Sequence, residues 1–182
     1  MPTVLFVVAV VVGLILAEAR LSRRHERQLI AAGAEVPAGD VYRTLALLYP
    51  MAILLMGAEG VWRAARAAPP ETMLEGAGAV GEPSWLLSGI LLFGASKALK
   101  YWAITALGER WTFRVVVLPG VPLVTGGPYR YVAHPNYVAV IGELVGTAMM
   151  VGAVVAGPLT IAAVALAIWA RVRFEEQALG RG

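Results

Sequence analysis

Gly126-Gly127-Pro128-Tyr129-Arg130-Tyr131-Val132-Ala133-His134-Pro135-Asn136-Tyr137 leads directly into two apolar segments, 138–156 and 159–170, and these end at Arg171-Val172-Arg173-Phe174-Glu175-Glu176. The order is polar motif, span, tight turn, span, polar motif. It predicts a helical hairpin broken at Gly157-Pro158, with both polar ends at one membrane face. Tyr, Arg, His and acidic side chains beside bilayer-length apolar segments are costly to keep, so such residues generally mark function.

The rest of the chain fits a membrane setting. Of 182 residues, 59% are hydrophobic and 15% charged, and the mean hydropathy is +0.72. Soluble domains carry about a quarter charged residues. The chain therefore reads as all-α, a polytopic membrane protein of about five transmembrane helices in one membrane domain. Without cysteine, disulfides, thiolate catalysis and cysteine metal sites are excluded. The two histidines, His25 and His134, are too far apart in sequence to suggest a metal site, so no metal is expected. A net charge of +3 is better assigned to membrane topology than to nucleic acid.

Working outward, residues 3–17 form an unbroken apolar run. Ala17-Glu18-Ala19 imitates a signal-peptidase site, but no positive residue precedes the run and five arginines follow it, from Arg20 to Arg43. This favours a retained first span, extended through Met1 and Leu21 toward the ~20 residues a span requires. A second span is expected over 44–62, kinked at Pro50, then a Pro/Gly/Ala-rich loop over 63–84 and a third span over 85–107. Lys97 and Lys100 share one face of that span and are expected to snorkel to the nearer interface. Residues 108–136 are too polar and too rich in Pro and Gly to span. With five spans, 13 of the 15 Lys and Arg residues fall on the side of the His134 motif, and only Arg63 and Arg66 on the other. The positive-inside rule then puts the motif and the tail in the cytoplasm and the N-terminus outside.

Gly76-Ala77-Gly78-Ala79-Val80-Gly81 matches a dinucleotide fingerprint, which works only between a strand and a helix. Pro69-Pro70 before it and Glu82-Pro83 after it supply neither, so it is set aside. Gly142 and Gly146 form a small-xxx-small pair suited to helix packing.

The His-Pro-x-Tyr element at His134-Pro135-Asn136-Tyr137, linked by one hairpin to the paired Glu175-Glu176, resembles the isoprenylcysteine carboxyl methyltransferase family over roughly residues 95–180. Members are integral-membrane, S-adenosylmethionine-dependent enzymes. The resemblance implies an N-terminal part (1–94) and a methyltransferase core (95–182), with the hairpin closing over S-adenosyl-L-methionine. His134, Tyr137 and Glu175 or Glu176 would contact the cofactor, with Gly127, Tyr129, Pro135 and Arg173 around the same pocket. A ribose diol and an adenine amine suit carboxylates, and a sulfonium suits aromatic faces. The implied partners are a lipophilic or lipidated acceptor from the bilayer and membrane lipids. The implied location is a bacterial inner membrane.

The chain departs from the family at Ala133, where members commonly carry Arg, a residue suited to a substrate carboxylate. Arg130, three residues earlier, is the candidate substitute. The run Gly108-Glu109-Arg110-Trp111-Thr112-Phe113-Arg114, with Gly-Pro-Tyr-Arg-Tyr at 127–131, is closer in look to bacterial members associated with type III polyketide synthases, thought to O-methylate alkylpyrone or alkylresorcinol lipids. Glu143 has two readings: partner of Lys97 or Lys100, or, like His134, acceptor of a proton from the substrate hydroxyl. Three other readings stay open: a phospholipid amine methyltransferase, a scaffold, and a transporter subunit using Lys97, Lys100 and Glu143.

Overall fold

The computed structural model describes residues 1–67 and 83–178. Its elements are α1 (Pro2–Ala31), α2 (Tyr42–Ala67), α3 (Pro83–Leu107), α4 (Pro135–Val151) and α5 (Ala156–Ala178). Among the described residues there is no strand, only one isolated antiparallel bridge, Glu35 with Val117. Four helices, α1, α2, α3 and α5, are long and apolar enough to cross a membrane. The glycine-rich segment 76–81 lies outside the described residues.

Several boundaries differ from the sequence reading. α1 continues to Ala31, because Arg, Glu and Gln are good helix formers even where hydropathy has ended. α2 runs on to Ala67, so the loop does not begin at Arg63. Pro50 sits inside α2 without ending it. The hairpin breaks at Gly152, not at Gly157-Pro158. Gly152 closes α4 with φ 69°, a left-handed conformation that costs glycine little. Pro158 falls in the first turn of α5, where a helix loses no hydrogen bond to a missing N–H.

A side chain from another helix completes this turn. Glu59 on α2 accepts the N–H groups of Val154, Val155 and Ala156 at 2.6–3.2 Å. Its carboxylate thereby meets the positive end of the α5 dipole.

α4 is central and packs against each of the other four helices, most extensively against α3. The α3–α4 contact is backbone to backbone. A Cβ on Gly146 would lie 2.9 Å from the Gly89 carbonyl and from the Phe93 nitrogen, and one on Gly142 would collide with Ser96. The glycine pair thus does pack helices. Val4, Val11, Ile53, Met56, Leu144, Val151 and Val164 fill the core between α1, α2, α4 and α5.

Lys97 and Lys100 do not snorkel. They are 7% and 2% exposed and point into the bundle, against Glu18 and Glu143. Lys97 Nζ donates to Glu18 at 2.5 Å, and Lys100 Nζ reaches Glu18 at 3.2 Å and Glu143 Oε2 at 2.8 Å. Tyr49 donates to the same Glu143 oxygen at 2.5 Å. The other Glu143 oxygen faces both ammonium groups, at 3.2 and 2.8 Å, without a well-aligned hydrogen bond. Facing carboxylates outweigh the pull toward water, so the pairing expected of Glu143 is present and is shared by both lysines.

Candidate functional site

The site forms at the end of the bundle where α1, α3 and α5 finish and α2 and α4 begin. His134 is the N-terminal flanking residue of α4, with φ −129° and ψ 65°, and Pro135 opens the helix. One turn on, Tyr137 stacks beside His134, ring centroids 5.6 Å apart and 28° between planes. The last turns of α5 come from the opposite side. Tyr137 Oη donates to Glu175 Oε2 at 2.7 Å, and His134 Nε2 lies 3.3 Å from Glu176 Oε1. Residues 38 and 42 positions apart in the chain are thus brought together.

Arg171, one turn before Glu175, is 4% exposed. Its Nε donates to Tyr137 Oη at 2.8 Å, Nη1 lies 3.2 Å from Asp40, and Nη2 donates to the Phe113 carbonyl. Asp40 sits in the α1–α2 connector and also accepts the backbone N–H groups of Tyr42 and Val115, at 3.0 and 2.9 Å. Trp111 is 2% exposed; its Nε1 donates to Asn136 at 3.3 Å, and its carbonyl lies 2.9 Å from His25 Nδ1. These bonds tie the 111–117 segment across the mouth of the bundle.

The result is a cleft lined by both polar and apolar side chains: Tyr129, His134, Tyr137, Arg171 and Glu175, with Arg110 and Arg114, together with the Val, Leu and Pro residues of 115–118 and 121–124. Burial, with the Glu175 charge nearby, pushes the Tyr129 phenol above its ordinary value, so it remains a neutral hydrogen-bond donor at physiological pH.

Of the sequence candidates, Tyr129, His134, Pro135, Tyr137 and Glu175 meet at this cleft, with Glu176 at its edge. Gly127 flanks it: with φ 61° it needs a left-handed conformation, and a Cβ there would lie 2.8 Å from Ala106, so its smallness serves packing on α3. Arg130 is exposed and extends along the Tyr131 ring, and exposed Arg173 lies over Trp169. Neither lines the cleft. Glu143 stands apart, fully buried in the ion cluster. The sequence reading placed Arg171 in the C-terminal polar motif and Trp111 in the Gly108–Arg114 run without giving either a role, and passed over Asp40. One signal was available: Asp40 is the chain's one aspartate, sited in a polar connector between two spans.

Both carboxylates can accept from hydroxyl or amine donors, and the stacked aromatic faces attract cations. Among known proteins, the Uncharacterized protein YpbQ of Bacillus subtilis (strain 168) is 35% identical to this chain over 96 residues. That match covers 53% of this chain and 57% of the relative. No solved structure matches. The description of the isoprenylcysteine carboxyl methyltransferase (ICMT) family matches residues 88–181, which contain α4, α5 and every candidate of the His134–Glu176 cluster, and the chain belongs to that family.

Proposed function

We propose that this protein is a membrane methyltransferase that uses S-adenosyl-L-methionine to methylate an oxygen of a lipophilic acceptor. The observation that carries this reading is the convergence of Tyr137 with Glu175 and His134 with Glu176 at a cleft lined by both polar and apolar side chains. Family membership supports methyl transfer, and four membrane-length helices support an acceptor drawn from the bilayer.

The donor set fits the cofactor's chemistry. Carboxylates suit its diol and amines, and the Tyr129, His134 and Tyr137 rings suit its cationic sulfur. When bound, the cofactor supplies an electrophilic methyl group. The chain's own contribution is to hold donor and acceptor in line and exclude water. The cleft encloses about 190 Å³, less than the ~300 Å³ at the small end of ligand sites. On this reading ligand binding displaces the Tyr137–Glu175 and His134–Glu176 contacts, which frees the carboxylates a ligand would engage.

For the acceptor, Ala133 offers no cation and Arg130 lies outside the cleft. Arg110, Arg114 and Arg171 do line it, but each is already engaged: Arg110 by the Pro122 carbonyl, Arg114 by Glu26, and Arg171 by Asp40 and Phe113. A phenolic or enolic hydroxyl of an alkylresorcinol or alkylpyrone type is favoured over a prenylcysteine carboxylate. His134 is the proton acceptor this reading assigns, with the cleft opening to the cytoplasm.

The test is calorimetry of S-adenosylmethionine with detergent-purified protein, beside His134→Ala and the double variant Glu175→Ala/Glu176→Ala. Micromolar binding lost in either variant supports the reading. A folded wild-type protein that binds none, with or without lipid, sinks it. Methyl transfer to an alkylresorcinol, a prenylated cysteine and a phosphatidylethanolamine then separates the acceptors.

A further inference from the structure

α1 lies outside residues 88–181, yet the family-matched part is incomplete without it. Lys97, Lys100 and Glu143 belong to that part, and by themselves they place two cations against one anion inside the bundle. Glu18 from α1, 3% exposed, supplies the fourth charge, and α2 adds the Tyr49 hydroxyl. An unpaired charge in an apolar interior is strongly disfavoured. Removing one partner of a buried pair is costly because the other is left uncompensated.

The same face of α1 reaches the candidate site one turn later. Ser22, four residues after Glu18 and 2% exposed, accepts the Phe113 N–H at 2.7 Å, while Arg171 donates to the carbonyl of that residue. Phe113 is thus gripped by α1 on one side and α5 on the other. Arg171 also donates to Tyr137, and Tyr137 donates to Glu175. Residues four apart share a helix face, so the register that seats Glu18 on the two lysines also seats Ser22 on Phe113.

We propose that α1 is a working part of the candidate site, with Glu18 as its anchor and Ser22 as the positioning residue that acts through Phe113 and Arg171. The charge-balance half stands independently of the proposed function; the ligand half rests on it.

The experiment compares the wild-type chain with Glu18→Gln, Lys97→Gln and the double Glu18→Gln/Lys97→Gln, reading thermal unfolding in detergent and S-adenosylmethionine affinity. Each single variant leaves three buried charges and is expected to lower the midpoint by about 6–12 °C and weaken binding at least tenfold. The double variant leaves Lys100 and Glu143 balanced and is expected to recover more than half of both losses. A Glu18→Gln protein indistinguishable from wild type, or additive losses in the double variant, overturns the anchor. If Glu18→Gln fails to accumulate, accumulation of the double variant supports it, and equal failure overturns it. Ser22→Ala is expected to weaken binding about tenfold with a midpoint change under about 3 °C, and Ser22→Thr to restore affinity. A change in the midpoint alone overturns the positioning role. Should the wild type bind no S-adenosylmethionine, the proposed function fails, while the midpoints still decide the role of Glu18.

Discussion

The bundle holds two acid-centred clusters built on the same central helix, and they differ in how well they satisfy themselves. Around Glu143, two carboxylates meet two ammonium groups and a phenol, and every charged member is at most 7% exposed. Around Tyr137, Glu175 and Glu176 rest on a phenol and an imidazole, and the Glu176 side chain is 40% exposed. The first cluster is closed, balanced and has nothing left to offer a ligand. The second has carboxylates whose partners can be exchanged. Glutamates and a tyrosine thus serve cohesion in one place and, on the proposed function, ligand binding in the other, and the difference lies in counter-charge and access.

The comparison breaks most visibly at Glu143. Glu143→Leu leaves two ammonium groups against one carboxylate, and a loss of about 3–5 kcal/mol is expected, read as collapse of the folded fraction on size-exclusion chromatography. Glu175→Gln makes the opposite trade. It should weaken S-adenosylmethionine binding at least tenfold, about 1.4 kcal/mol, while thermal unfolding moves by only a few degrees. Equal destabilisation by the two variants would erase the distinction between the clusters. Glu59 tests an intermediate case, a carboxylate satisfied by backbone rather than by cations. Glu59→Gln keeps an acceptor but loses the charge, so about 1 kcal/mol of stability is expected to go, measurable as a lower unfolding midpoint. Arg63 sharpens the low end. It pairs with Glu59 at 3.9 Å with half its side chain in the open, and Arg63→Ala should change stability by less than about 0.5 kcal/mol.

The sequence carried the spans because hydropathy is a property of each segment alone. It misjudged where they stop, since helices persist through the polar residues 21–31 and 63–67 on propensity and packing. It put the hairpin break at the proline, when the residue that needed an unusual backbone was Gly152. Among site residues, the His134–Tyr137 and Glu175–Glu176 motifs were legible as a pair. Arg171, Asp40, Ser22 and Trp111 were not, because their partners are backbone groups or side chains up to 131 positions away. The burial of Lys97 and Lys100 was missed for the same reason, although their pairing with Glu143 was expected: Glu18 sits 79 residues upstream of Lys97, in a stretch that looked like a cleavage site.

α4 has 17 residues and so spans only ~25 Å, against ~30 Å of hydrocarbon. Its neighbours, at 23 to 30 residues, reach ~35–45 Å. The short helix is held at both ends by its neighbours: Glu59 of α2 secures the turn that follows it, and Glu175 and Glu176 of α5 meet Tyr137 and His134 where it begins. A central post that cannot reach both faces alone takes its position from the helices around it, so a shift of α5 is felt directly at His134.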